Sequence, residues 1–185
     1  MADSKNSTFK AFFLPMIVLV AICVVIGAAM AAINMLTAPK IAKEQQRKEQ
    51  EALSAVVPDN QGFEEIALKK EYESVVSLYA DKGSDALAVM LSVKGYDASN
   101  PMSVAVGFDG EGKIIKCSVI SCAGETKGIG SKVSTDDFLS RFLGKSDVSS
   151  VDTISGATIS SKAFKKAVDE AVLAVKDYRT AEVLK

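Results

Sequence analysis

Residues 11–33 read AFFLPMIVLVAICVVIGAAMAAI, and none of these side chains carries a charge. A helix needs about 20 consecutive apolar residues to cross a bilayer, so this run predicts a transmembrane helix. A cleaved signal peptide has a shorter apolar region, of about 7–15 residues, followed by a small-residue cleavage site. The length of the run and the helix-forming segment after it favour a retained anchor.

The charges that flank the run bear on its orientation. Lys5 and Lys10 precede it, and a larger group of cations follows it: Lys40, Lys43, Arg47 and Lys48. Flanks rich in lysine and arginine tend to stay in the cytoplasm. Taken alone, this bias predicts that the part of the chain after the membrane helix is cytoplasmic.

A polar segment continues the chain beyond the membrane. Residues 41–57 read IAKEQQRKEQEALSAVV and stop before Pro58; they are rich in helix formers and predict a helical stalk. Residues 59–62, DNQG, predict a turn and a domain boundary. The predicted organisation is a tail at 1–10, a transmembrane helix at 11–35, a stalk at 36–58 and a domain at 59–185.

The domain begins with β-rich sequence. Runs typical of strands occupy residues 74–80, 86–93, 102–108 and 113–120. Residues 109–112, DGEG, join the last two and predict a hairpin. Residues 134–137, STDD, predict the start of a short helix that ends near Gly144, and residues 148–154 predict a further strand.

The end of the domain has a helical pattern. Apolar side chains recur at i, i+3 and i+4 spacing at Ala163, Phe164, Ala167, Val168, Ala171, Val172, Val175 and Tyr178. This stripe predicts a long helix packed on the sheet. The fold class is therefore α+β: a single N-terminal transmembrane helix, then a small domain with a mostly antiparallel sheet and packed helices.

Composition narrows the chemistry. The chain has no histidine. Its absence excludes Ser-His-Asp and Cys-His catalysis and removes the commonest metal ligand. The net charge is −1 and the pI is about 5.6. No basic stretch is interleaved with aromatic residues, so no nucleic-acid partner is predicted. Cys117 and Cys122 can pair only if the chain turns between them, and two thiols cannot hold a four-thiolate cluster. We expect no metal site and no catalytic acid or base.

Residues 152–161, DTISGATISS, join the last β-rich run to the last helix. Ser160 or Ser161 can cap that helix, and Gly156 allows the backbone to come close to a ligand. Free backbone N–H groups and the helix dipole make such a turn a good phosphate site. An anion site fits this stretch, but an ordinary capped turn between a strand and a helix is the more common reading of such residues taken alone.

Asp152 followed by Ser155-Gly156-Ala157-Thr158 resembles the flavinylation motif of FMN-binding subunits in two membrane complexes. These are the Rnf complex and the sodium-pumping NADH:quinone reductase, and the subunits form the RnfG and NqrC families. The resemblance implies that FMN is bonded to Thr158 through a phosphoester. It also implies that a flavin transferase installs the group from FAD, and that the other motif residues contact the cofactor.

Other segments carry the same resemblance. Residues 125–130, ETKGIG, are similar to the ETPGLG loop that lies near the flavin in this family, with Lys127 in place of proline. The resemblance implies that Glu125 and Thr126 contact the ring or the ribityl chain. Residues 36–41 and Gly95-Tyr96 also match in order along the chain, and the short length favours RnfG.

The family resemblance implies an electron-transfer subunit of the ion-translocating ferredoxin:NAD oxidoreductase. No complete catalytic site lies in this chain alone, and its implied partners are the other membrane and peripheral Rnf subunits, the flavin transferase and membrane lipid. The flavin domain is implied to lie outside the cytoplasmic membrane, against the charge bias. The alternatives are an NqrC-like subunit, or a non-redox membrane-anchored module that binds an anion or serves a structural role.

Overall fold

The computed structural model describes residues 3–68 and 70–183; the first two residues of the expected tail and the last two of the expected domain lie outside them. The chain divides into two compact units, one ending at Arg47 and one beginning at Lys48. Helix α1, Asp3–Val56, contains Pro15 and Pro39. Its apolar stretch is unburied and long enough to cross a membrane, which confirms the expected membrane-spanning segment in length and composition.

The second unit is built on a five-stranded antiparallel sheet in which each strand pairs with the next along the chain. The strands are β1 Phe63–Ile66, β2 Val75–Asp81, β3 Leu87–Val93, β4 Met102–Phe108 and β5 Ile114–Ser121. The four expected strands and the hairpin are confirmed. Strand β1 was not expected because it is short and two of its residues are glutamates.

The strand expected at residues 148–154 is wrong, since these residues form an irregular segment. Local polar groups hold its backbone instead of a strand partner. The Asp147 carboxylate accepts the Ser149 N–H at 2.8 Å, and the Lys165 ammonium donates to the Val151 carbonyl at 2.9 Å. Side-chain bonds of this kind compete with ladder formation, and only the β-branched residues of this segment, such as Val148, Val151 and Ile154, resembled a strand.

Helices cover the sheet. Helix α2, Asp136–Leu139, lies between the 3-10 turns Gly130–Ser134 and Ser140–Phe142, and the chain then turns at Gly144 with a φ of 69°. The short helix expected here is confirmed. Helix α3, Thr158–Val183, packs with α2 on one face of the sheet around a core that includes Val89, Phe108, Phe164 and Val168.

The last turns of α1 cover the other face of the sheet. Ala52, Leu53 and Val56 pack there against small and flexible side chains, among them Ala88 and Ala105. The sheet is therefore buried on both faces. This arrangement leaves the turns at the strand ends and the start of α3 at the surface, where a functional site can form.

Gly107 in β4 allows the end of α1 to lie directly on the sheet. A Cβ added at Gly107 would overlap the Val56 carbonyl oxygen and would lie 3.1 Å from the Val56 Cβ. Val56 is fully buried, so it cannot move aside without disturbing the packing. We expect Gly107→Ala to lower the free energy of unfolding by about 1–3 kcal/mol, measured by urea denaturation of the full chain in mild detergent.

Gly110→Ala is the matched control for this prediction. Gly110 lies in the exposed β4–β5 turn, and a Cβ there would lie 3.5 Å from the nearest heavy atom, the Asp85 Cβ. This is an ordinary contact, so we expect little loss of stability. Equal losses in the two variants would contradict the close approach of α1 as the cause.

The cysteines of the domain are free thiols. Cys117 lies in the core that the sheet forms with α3, and desolvation raises the pKa of its thiol to about 12. It therefore stays protonated at neutral pH, and protonated buried thiols are unreactive. Cys122 follows the end of β5 and is half-buried.

Candidate functional site

The candidate site lies at the N-terminus of α3, where the helix begins at Thr158. The capping role expected for Ser160 or Ser161 is wrong, because both serines lie inside the first turn. Ser161 Oγ donates to the Ala157 carbonyl at 2.8 Å and accepts the Ile154 N–H at 3.2 Å. It thereby ties the preceding loop to the helix from within.

Thr158 stands at the surface as the first residue of the helix. The first N–H groups of a helix have no partner within the helix, so they remain available to an anion. Gly156 has a φ of 82°, and a Cβ added there would meet nothing within 4 Å. An exposed threonine, free helix donors and open space beside the turn are the features that a phosphate attached to Thr158 needs.

The other motif residues surround this turn. Asp152, Ser155 and Gly156 are exposed, whereas Ala157 is buried at 4% exposure and its carbonyl accepts the N–H and the hydroxyl of Ser161. Ala157 therefore supports the turn, and the exposed residues border the open space.

Glu125 joins three separate segments. Its carboxylate is buried, with 6% of the residue exposed. Oε1 accepts the Tyr96 N–H at 3.0 Å, and Oε2 accepts the Ser160 hydroxyl. The Gly95-Tyr96 step, the loop at 125–130 and the first turn of α3 thus meet at one side chain.

The loop at residues 125–130 is a compact turn. The Ile129 and Ser131 N–H groups both donate to the Thr126 carbonyl at 3.1 Å, and the Gly128 N–H donates to Ser131 Oγ at 2.9 Å. Gly128 has a φ of 75°, which a glycine adopts without strain. The Thr126 side chain stays exposed and free to contact a bound molecule.

Each of the three joined segments carries one exposed apolar side chain. The exposed fractions are 67% for Tyr96, 50% for Ile129 and 60% for Ile159. Exposed apolar groups beside a polar turn suit a ligand with an aromatic ring and an anionic tail. Sequence reasoning did not single out Ile159 or the link between Ser160 and Glu125, because neither has a local signal.

The part of the chain that the structure describes holds no cluster of three or more histidine, cysteine, aspartate or glutamate residues that could bind a metal. Within those same residues, no lysine or arginine lies within ion-pair distance of Glu125. The site is therefore composed of hydroxyls, backbone donors and one buried carboxylate.

Comparison with known proteins agrees with this geometry. Residues 95–173 match the FMN-binding domain family, a range that contains all three segments joined by Glu125. Residues 17–56 match the RnfG N-terminal region.

A relative that matches most of the chain comes from Clostridium ljungdahlii. It is the G component of the proton-translocating ferredoxin:NAD(+) oxidoreductase complex, and it is 31% identical over 163 residues. The similarity covers 81% of this chain and 84% of that protein. A match of this extent, together with both family regions in order, shows that this chain belongs to the RnfG family.

Proposed function

We propose that this chain is the electron-transfer subunit of a membrane-bound ferredoxin:NAD oxidoreductase complex and that it carries FMN covalently on Thr158. The observation that supports this proposal best is that Thr158 is exposed and is the first residue of α3, inside a region that matches the FMN-binding domain. The match of residues 17–56 to the RnfG N-terminal region favours the Rnf complex over the quinone reductase.

The proposed attachment is a phosphoester made by a flavin transferase. Thr158 Oγ1 displaces AMP from the FMN phosphorus of FAD and releases its own proton, so one pyrophosphate bond breaks and one ester bond forms. The N–H groups of the first turn of α3 are then suited to hold the phosphate oxygens. FMN in this position supplies one- and two-electron redox chemistry.

The remaining residues serve as contacts around the attachment point. We assign Asp152, Ser155, Gly156 and Ala157 to the turn that borders the phosphate. We assign Thr126 to the ring or ribityl side, because its side chain is exposed on the loop that Glu125 joins to the helix.

The chain is a membrane protein with one helix able to span the bilayer among its described residues. We propose that the domain from residue 59 onward lies outside the cytoplasmic membrane, as the family resemblance implies. The lysines and arginine that follow the membrane-spanning run belong to α1. The positive-inside rule is a tendency with exceptions, so these cations do not exclude an external domain. The proposed partners are the other Rnf subunits, the flavin transferase and surrounding lipid.

The test is the intact mass of the full chain purified in detergent after coexpression with an active flavin transferase. We expect an added mass of one FMN less water, located by digestion in the peptide that contains residues 152–161. A second flavoprotein substrate, coexpressed in the same cells, verifies the transferase. An unmodified chain beside a modified second substrate would contradict the covalent attachment and favour a module that binds an anion reversibly.

A further inference from the structure

We propose that Glu125 is a positioning residue for Thr158: its buried carboxylate fixes the first turn of α3 against the Gly95-Tyr96 step and so holds the Thr158 hydroxyl in place for FMN attachment. This inference rests on the proposed function. It gives Glu125 a role inside the protein, where the family resemblance implied a direct contact with the flavin.

The hydrogen bonds of Glu125 are the first support. Its two oxygens accept from different segments, the Tyr96 N–H at 3.0 Å and the Ser160 hydroxyl. Ser160 lies two residues after Thr158 in the same helical turn. A carboxylate accepts at both oxygens and donates at neither, so it matches two donors, one at each oxygen.

Two glycines provide the second support, because they leave room for this carboxylate. A Cβ at Gly95 would overlap Oε1 and lie 2.9 Å from the Glu125 Cδ. A Cβ at Gly130 would overlap Oε2 and lie 2.9 Å from Ser160 Oγ.

Backbone conformation does not account for the presence of glycine at these two positions. Neither Gly95 nor Gly130 has a positive φ, in contrast to Gly128 at 75°, so neither lies in the left-handed region that favours glycine. The two glycines leave space, and the Glu125 carboxylate fills it. The glycine before Tyr96 and the last glycine of the 125–130 loop therefore serve one buried side chain.

The electrostatic setting is the third support. Among the described residues, no cation pairs with Glu125, and a buried carboxylate is costly without compensation. The positive end of the α3 dipole and the two hydrogen bonds provide that compensation. The proposed phosphate lies at the same end of α3. The first turn of this helix therefore connects the Glu125 carboxylate to the attachment point at Thr158.

Three substitutions distinguish a positioning role of Glu125 from a general effect on the stability of the fold. Glu125→Ala removes both bonds. Glu125→Gln keeps the size and one acceptor for the Tyr96 N–H, and its amide can donate to Ser160 Oγ, which accepts as well as donates. Arg179→Ala is the matched control, because Arg179 donates to the Asp85 carbonyl at 3.1 Å and to the Asp109 carbonyl at the far end of the same helix.

The experiment follows the initial rate of mass gain when each full-length variant in detergent meets purified flavin transferase and FAD. We expect Glu125→Ala to slow attachment roughly tenfold or more, since small misplacement of a reacting group lowers rates steeply. Glu125→Gln is expected to restore most of the rate, and Arg179→Ala to stay close to the parent. If Glu125→Ala does not fold, Ser160→Ala removes one of the two bonds and is expected to slow attachment severalfold.

A second readout requires no flavin. Hydrogen exchange of the unmodified chain is expected to rise at the Tyr96 amide, whose N–H donates to Glu125, and at residues 161–163, the first bonded amides of α3, in Glu125→Ala. It is expected to stay at parent values there in Arg179→Ala. Parent-like exchange and rate in Glu125→Ala would overturn the inference, as would equal slowing in Arg179→Ala or no rescue by glutamine. A parent that takes no FMN would contradict the proposed function, while the exchange data would still decide the role of Glu125.

Discussion

Replacing Thr158 with alanine is expected to give a folded chain that carries no covalent FMN. Alanine lacks the Oγ1 atom that forms the ester, so the attached fraction falls from most of the chain to none. The fold is expected to persist because Thr158 is exposed and alanine is the better helix former. Intact mass measures the loss directly, and flavin fluorescence in a denaturing gel confirms that any remaining flavin is not bonded.

The matched control is Thr153→Ala. Thr153 is also an exposed threonine, five residues earlier in the same segment, and its replacement is expected to leave the added mass intact. Thr158→Ser keeps a hydroxyl and is expected to retain attachment at a lower rate. Added mass that persists in Thr158→Ala would place the bond on another hydroxyl, with the exposed Ser155 the first to examine.

The sequence predicts the elements whose signals are local. Strands β2 to β5 carry clear β-rich runs, and the turn at 109–112 marks the hairpin between the last two. Strand β1 has no such signal, because half of its residues are charged and its place depends on pairing with β2. The strand wrongly expected at 148–154 shows the converse, since β-branched residues do not reveal that polar side chains hold the backbone of a segment.

The residues of the candidate site also differ in whether the sequence around them gives a local signal. Thr158 stands out through a motif in one stretch of sequence. The partners of Glu125 lie 29 and 35 residues away, so its contacts exist only after the strand end, the loop and the helix have folded together. The start of α3 at Thr158 was missed because two serines nearby are good caps in isolation, whereas Gly156 and Ala157 form the actual entry to the helix.

Phe164→Ala is expected to lower the free energy of unfolding of the domain by about 3–5 kcal/mol. Phe164 is fully buried, and its ring centroid lies 5.5 Å from that of Phe138 and 5.4 Å from that of Phe142. Those two rings also contact each other at 5.2 Å. Because they pack on one another and on the sheet, they cannot readily fill the space that the third ring leaves, and a cavity remains between α2 and α3.

Tyrosine fluorescence during urea unfolding of the full chain in mild detergent measures this loss. All four tyrosines lie after residue 70, so the signal reports on the domain and not on the membrane helix. Leu173→Ala on the same helix is the control, because Leu173 is 46% exposed and its truncation is expected to cost about 0.5 kcal/mol or less. Similar losses at the two positions would mean that α3 does not depend on the three-ring cluster; a large loss at Phe164 alone would identify this cluster as the anchor of the helix that presents Thr158.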